Sequence, residues 1–339
     1  MEDLIMQMRK LGQLEVSPIG MGCMGFSHGY GKVPEAAVAI KAIQGAHDYG
    51  CTFFDTAETY GREQFYPGHN EQLVGQAIKS FRKEVVLASK IHISTEEYQA
   101  DHDLYRTIKR HLLHSLENLQ TDYLDLYYLH RYNEEIGMAP VAEVMGKLID
   151  EGLIRAWGVS QVGLDLLKTA HEITPVSAVQ NLYNMVERSC ESEIIPYCLQ
   201  EGIGLVPFSP IASGLLSGKI TQSTKFEGDD VRKFVPQLQA ENLAANQPIV
   251  DLLDRFSTSK HATKAQIALA WMLKKYPNVV PIPGSKNPQR IIENLGAWKV
   301  ELTDAEFKDL DDSLNQLKIY GHRGFEESQQ HSFSNNWRS

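Results

Sequence analysis

The sequence predicts an α/β fold of the (β/α)8 TIM-barrel class, carried by one domain over residues 1–339. Two observations point there. Short β-rich runs and helix-like segments alternate from Val16 onward, eight of the first against about eight of the second, so that successive strands need parallel crossovers. No linker, repeat or low-complexity tract interrupts the alternation, and α/β barrels of this length form single units. A doubly wound open sheet is the alternative arrangement of the same pieces.

The first strand is expected at 19–24 and the first helix at 34–49, with Pro34 at a tolerated helix start and Gly50 just past the end. Residues 52–55 (TFFD) are short and β-rich, 70–80 read as a helix, and 84–89 (EVVLAS) as a buried strand. Between 103 and 119, apolar residues recur at 104, 108, 112, 116 and 119, one face of an amphipathic helix. Strand four follows at 123–129, a helix at 141–151, strand five at 154–159 and a helix at 164–171. Ala178–Gln180 is strand six, 191–200 a helix and 204–208 strand seven. The stretch 209–236 then breaks the rhythm with glycines, serines and charges, a length that marks a functional or mobile loop. Helices at 248–257 and 264–276, strand eight at 279–282, and C-terminal helices at Pro288–Leu295 and 304–317 complete the ordered part, about 8–320. The polar tail 321–339 is expected to be loosely held.

Composition narrows the function. With 42% hydrophobic and 22% charged residues the chain can bury a large core, and a net charge of −10 without a Lys/Arg block argues against a nucleic-acid surface. Cys23, Cys51, Cys190 and Cys198 show neither C-x-x-C pairing nor zinc spacing, as buried thiols in a reducing compartment would. The opening MEDLIMQMRKLG lacks the apolar run of a signal peptide, and nowhere do eighteen apolar residues run together. A cytoplasmic protein without membrane contact is expected. Oligomeric state leaves no mark in the sequence.

One motif misleads. IGMGCMG, residues 19–25, contains a G-x-G-x-x-G, yet the turn-rich FSHGYGKVP that follows offers no helix to open inside the glycines. A dinucleotide fingerprint needs that helix N-terminus for the pyrophosphate.

In a barrel the chemistry gathers at the carboxyl ends of the strands. Strand two ends at Asp55, with Tyr60 five residues on; strand three ends at Lys90 and strand four at His130. Singly, each has an ordinary explanation: a cap, a solvated ammonium, a packing ring, a bonded structural histidine. Four titratable groups on three consecutive strand ends suggest one shared site.

DTAETYG, VVLASK, YLH, GLIRAWGVS, PFSPIASGLLSGK and PIPGSKNPQRIIEN follow in order, and with them the chain resembles the aldo-keto reductase family over essentially its whole length, in its long-loop, aryl-alcohol and pyridoxal-reductase-like branch. The resemblance implies a barrel that binds NADPH/NADP+ without a Rossmann fold and reduces aldehydes or ketones to alcohols. It places the family's catalytic tetrad on Asp55, Tyr60, Lys90 and His130. Hydride delivery leaves charge on the carbonyl oxygen, which a positioned donor stabilises and protonates. A phenol is a reluctant acid, and lowering it by about three units takes roughly 4 kcal/mol. A cation about 4 Å away can supply that. Lys90 is expected to do so, with Asp55 holding it charged and His130 orienting the substrate oxygen.

The resemblance also implies the cofactor contacts. Phe208 would stack on the nicotinamide and Ser160, Gln161 and Gln180 bind its carboxamide, although many relatives carry Asn in place of Gln161 and Tyr in place of Phe208. Ser209, Pro210, Ile211, Gly214, Leu215, Ser217 and Lys219 would cover the pyrophosphate, and Gly284, Ser285, Lys286, Arg290, Glu293 and Asn294 the adenosine end. Lys286 and Arg290 favour the 2′-phosphate of NADPH over NADH. Gly22, Cys23 and Met24 would line the nicotinamide side together with Asp55, and His28, Tyr30 and Tyr132 are candidate pocket walls. The partner is a small carbonyl compound. A regulatory or structural protein that holds cofactor with little turnover is the alternative. A metal-dependent barrel hydrolase is disfavoured, since only His130 and Asp55 offer ligands at strand ends.

Overall fold

The computed structural model describes residues 5–324. It opens on an antiparallel hairpin, β1 (Arg9–Leu11) and β2 (Leu14–Val16), that the sequence did not announce because three-residue strands are too short to show alternation. Seven parallel strands then pair in chain order: β3 (Met21–Gly22), β4 (Phe53–Asp55), β5 (Val86–Ile91), β6 (Leu124–Leu129), β7 (Ile154–Ser160), β8 (Ala178–Gln180) and β9 (Gly204–Leu205). The segment 279–284 closes the ring, bridging Val279 to Leu205 on one side and Gly284 to Gly22 on the other. Val280 N donates to Leu205 O at 2.8 Å, and Gly20 N to Pro281 O at 2.9 Å. The eighth stave thus stands where expected, as isolated bridges rather than a regular strand, because Pro281 and Pro283 have no N–H to give the ladder.

Helices cover the outside: α1 (Ala36–Asp48), α2 (His69–Ile78), α3 (Thr95–Asp101), α4 (Leu104–Leu119), α5 (Met138–Asp150), α6 (Leu164–Ile173), α7 (Ile194–Glu201), α8 (Ala240–Ala245), α9 (Gln247–Lys260), α10 (Lys264–Lys275), α11 (Pro288–Leu295) and α12 (Asp304–Asn315). The stripe read on 103–119 is the buried face of α4: Ile108, Leu112, Leu116 and Leu119 are inside, and Asp103 caps its start by accepting from Arg106 N. α2 crosses α4 so closely that a Cβ on Gly75 would lie 2.6 Å from Leu119 O. α10 and α12 both begin with capping boxes, Thr263 with Gln266 and Thr303 with Glu306.

Two layers of apolar packing result. Phe53, Ala88, Leu126, Tyr128, Ala156, Ala178, Val206 and Val280 fill the barrel interior, and Leu11 and Val16 of the hairpin close its floor. The outward residues of the same strands, such as Tyr127 and Leu129, join the larger cluster under the helices. Inside 209–236 the structure finds short 3-10 turns at Ala212–Ser217 and Val231–Phe234, with a third, Pro236–Leu238, at its end. The tail needs a correction at its beginning. Residues 321–324 are anchored, with Arg323 N donating to Glu187 Oε1 at 2.7 Å and His322 O accepting from Gln237 N at 3.3 Å. The remainder of the expected loose tail, 325–339, lies outside the described residues. Among the described residues no helix is long and apolar enough to cross a membrane.

Candidate active site

The carboxyl ends of β4, β5 and β6 set Asp55, Lys90 and His130 side by side, and the loop after β4 brings Tyr60 over them. Lys90 is fully buried, and its three ammonium donors are all engaged: Asp55 Oδ1 at 2.5 Å, Thr56 O at 2.7 Å and Tyr60 Oη at 3.1 Å. An ammonium only donates, so the phenol oxygen accepts from it and keeps its own proton for another partner. Gln180 Nε2 donates to the second Asp55 oxygen at 2.8 Å. The rings of Tyr60 and His130 meet edge to face, centroids 5.7 Å apart, and His28 tilts against Tyr60 at 5.4 Å.

Charges follow from these surroundings. Burial alone would lower the Lys90 ammonium, but Asp55 and then Tyr60 hold it above its ordinary range, so it stays charged. Burial carries the His130 imidazole well below its usual value, with Arg131 and Lys90 pushing the same way, so the ring is neutral near pH 7. The expectation for Tyr60 needs correcting. Burial raises its phenol, Asp55 adds to the rise, and the Lys90 charge only offsets part of it. In this protein the phenol is held protonated rather than acidified.

The expected cofactor residues divide in the same plain way. Ser160 is buried at the end of β7, Phe208 is half-buried at the top of the interior, and Cys23 and Met24 follow β3 with Cys23 buried. Gln180 is committed to Asp55, and Gln161, in a left-handed backbone at φ 53°, accepts from Leu182 N at 2.9 Å, so both amides already have protein partners. The loop after β9 has the shape of an anion cradle. Ser209, Ala212, Ser213 and Gly214 have φ of 49°, 47°, 55° and 104°, which folds the loop into tight turns with Ala212 N on Ser209 O and Gly214 N on Ile211 O, both at 2.9 Å, and the Ser213 hydroxyl is buried without a hydrogen-bond partner in the protein. Those features fit a diphosphate. Pro210 and Leu215 are buried and Ile211 half-buried beneath the loop, and Ser217 Oγ donates to Gly214 O at 2.6 Å. Lys219 Nζ lies 3.7 Å from Glu293 Oε1, which joins this loop to α11.

At the other end, Gly284 meets Gly22 backbone to backbone, leaving 3.2 Å between a Cβ on Gly284 and Gly22 O. Ser285 Oγ accepts from Asn287 N, Asn287 caps α11 by accepting from Arg290 N, and Asn294 is buried. Arg290 is exposed on the first turn of α11. Lys286 departs from expectation: its ammonium donates to Tyr30 O at 2.5 Å and Lys32 O at 2.7 Å, clasping the loop after β3. A charge can be read in a sequence; the direction it turns cannot.

Other residues of the site gave no sequence signal of their own. Asn70 is fully buried; it accepts from Thr56 Oγ1 at 2.6 Å and donates to Cys23 O at 2.9 Å and Ser27 Oγ at 2.7 Å, tying the first two loops together. Arg131 Nη1 donates to its neighbour's carbonyl, His130 O, and to Ser160 Oγ at 3.1 Å. A cation directly after YLH was visible, but not its reach to β7. Among the described residues, no three His, Cys, Asp or Glu side chains gather to hold a metal ion.

A parallel barrel with an Asp–Lys–Tyr–His group at its mouth defines a class of oxidoreductases, and comparison with known proteins agrees. Residues 18–315 match the model of the aldo/keto reductase family. The chain is 33% identical over 328 residues to the aldo-keto reductase yakc of Schizosaccharomyces pombe, whose name specifies NADP(+), covering 93% of each chain. Its fold is similar to that of a glycerol dehydrogenase of Gluconobacter oxydans, with TM-score 0.80, 25% identity, and 91% of this chain and 95% of that one covered. It is also similar to an aldo-keto reductase of Klebsiella pneumoniae solved in complex with NADPH, with TM-score 0.70, 26% identity, and 94% and 99% covered. The chain belongs to the aldo/keto reductase family.

Proposed function

We propose that this protein is an NADPH-dependent reductase of aldehydes or ketones in which Tyr60 supplies the proton. The observation that carries the reading is the Lys90 ammonium, bonded at once to Asp55 and to the Tyr60 oxygen at the barrel mouth. When bound, the reduced nicotinamide supplies a hydride to the carbonyl carbon. Phe208, Ser160 and the loop from Ser209 to Lys219 would hold the cofactor, with Arg290 at its 2′-phosphate, and the NADPH and NADP+ relatives support that choice.

The rest falls to the chain's own side chains. Tyr60 holds its proton on Oη because burial keeps the phenol neutral, which suits an acid waiting for a substrate oxygen. Neutral His130 can offer one ring N–H to that oxygen and fix its direction. As charge appears on the oxygen, the proton moves across from Tyr60, and the phenolate left behind faces Lys90 at 3.1 Å. Lys90 therefore acts most strongly after the transfer begins, which is where differential stabilisation counts. Asp55 and Gln180 keep the ammonium in place.

Tyr60→Phe tests this directly, with NADPH oxidation followed on 4-nitrobenzaldehyde and a panel of aldehydes and ketones. The expected result is a kcat loss of about 10²-fold or more with cofactor affinity nearly unchanged. Near-normal turnover removes Tyr60 from the role. Tight NADPH binding by the unaltered protein without turnover on any of the panel would point instead to a cofactor-holding regulatory protein.

A further inference from the structure

Behind Tyr60 stands a bridge of charged side chains that the proposed reaction does not use. Glu58 lies two residues before Tyr60 in the loop after β4. Its Oε1 accepts from His92 N at 2.8 Å, just beyond β5, and its Oε2 is 2.8 Å from His111 Nδ1 on α4. The other ring nitrogen, His111 Nε2, is 2.7 Å from Glu97 Oε1 on α3, and Arg110 Nη2 donates to the same oxygen at 2.6 Å. The Glu58 backbone joins the same knot, with its N–H on Lys90 O and its carbonyl accepting from Gly68 N, both at 3.4 Å.

An imidazole with a carboxylate on each nitrogen can donate both bonds only as an imidazolium. Burial opposes that charge, but Glu58 and then Glu97 overcome it and lift the ring to about 9. The other charged or titratable groups around the bridge include Arg62 on the catalytic loop, His92 beyond β5, Glu71 on α2, Tyr127 on β6, Arg110 on α4 with its partner Asp101 on α3, and Arg131 beyond β6.

We propose that His111 is a positioning residue: by bridging Glu58 to Glu97 it locks the loop that carries Tyr60 against the end of β5 that carries Lys90. This rests on the reading of Tyr60 as the proton donor. The chain of contacts reaches two helices away from the mouth, yet it ends on the two segments whose spacing sets the Lys90–Tyr60 bond. Below pH 9 the ring holds both carboxylates; as pH rises through about 9 it loses a proton, one of the two bonds goes, and the loop loses part of its anchorage.

His111→Phe and Glu97→Gln test the proposal. His111→Phe keeps the ring and removes both N–H groups, so kcat at pH 7 should fall roughly tenfold to a hundredfold, while NADPH affinity, read by quenching of protein fluorescence, stays near that of the unaltered protein. Glu97→Gln removes only the outer carboxylate and leaves the surroundings of Tyr60 alone. It should move the alkaline fall of kcat to lower pH by about one unit. A near-normal kcat for His111→Phe, or an unmoved alkaline limb in Glu97→Gln, overturns the proposal; if His111→Phe does not fold, Glu97→Gln decides alone. Activity surviving in Tyr60→Phe would defeat the underlying reading, whereas an active His111→Phe beside an inactive Tyr60→Phe would defeat this proposal only.

Discussion

Individual side chains here do what their donor count permits. Lys90 has three N–H groups and three acceptors, so it cannot turn toward solvent without breaking the arrangement that holds Tyr60. Lys286 has two of its donors on Tyr30 and Lys32 carbonyls, which leaves exposed Arg290 as the cation better placed to discriminate the cofactor. Arg290→Ala should therefore weaken NADPH by roughly tenfold to a hundredfold, the worth of a charge-assisted bond to phosphate, and leave NADH almost untouched. Fluorescence titration with both cofactors checks it, and equal losses would refute the 2′-phosphate role. Strand ends alone bring Asp55, Lys90 and His130 to one mouth, while grouping them with Tyr60 as a tetrad came from the family resemblance. Asn70, Arg131 and His111 were not legible, since each matters through a partner on another element. His111, for instance, meets Glu58 across 53 positions of chain.

Elements were legible in proportion to the length of their apolar pattern. α4 shows one buried face over sixteen residues and was readable; α3 buries none of its seven, so TEEYQAD carries no periodic signal. The turn at Ala212–Ser217 contains left-handed backbone at Ala212 and Ser213, which those residue types do not advertise. The α2–α4 crossing is similar. Gly75 reads as an ordinary helix interruption until Leu119 O is seen against it. Gly75→Ala should force the helices apart and lower stability by about 1–3 kcal/mol, as overpacking does. A drop of several degrees in the melting midpoint, with turnover at 25 °C retained, is the expected outcome; an unchanged midpoint would mean that the crossing yields without cost.

Across the whole molecule, chemistry and stability occupy opposite ends of the barrel. The mouth holds the titratable groups, and the floor is closed by the hairpin, whose Arg9 donates to Tyr276 O at 2.6 Å, Val279 O at 2.7 Å and Leu273 O at 2.5 Å. Arg9→Met should strip these carbonyls of their donor and lower stability by about 1–3 kcal/mol. Because the substitution lies far from Tyr60, kcat and cofactor affinity at 25 °C should not change. Denaturant titration alongside steady-state assays measures both, and a kinetic defect without a stability loss would contradict the division.

That guanidinium fork also ties the ninth residue of the chain to the 279th. During synthesis the base of the cylinder cannot be sealed until residue 279 has left the ribosome. Until then the early staves wait with the lower end of their inner faces uncovered.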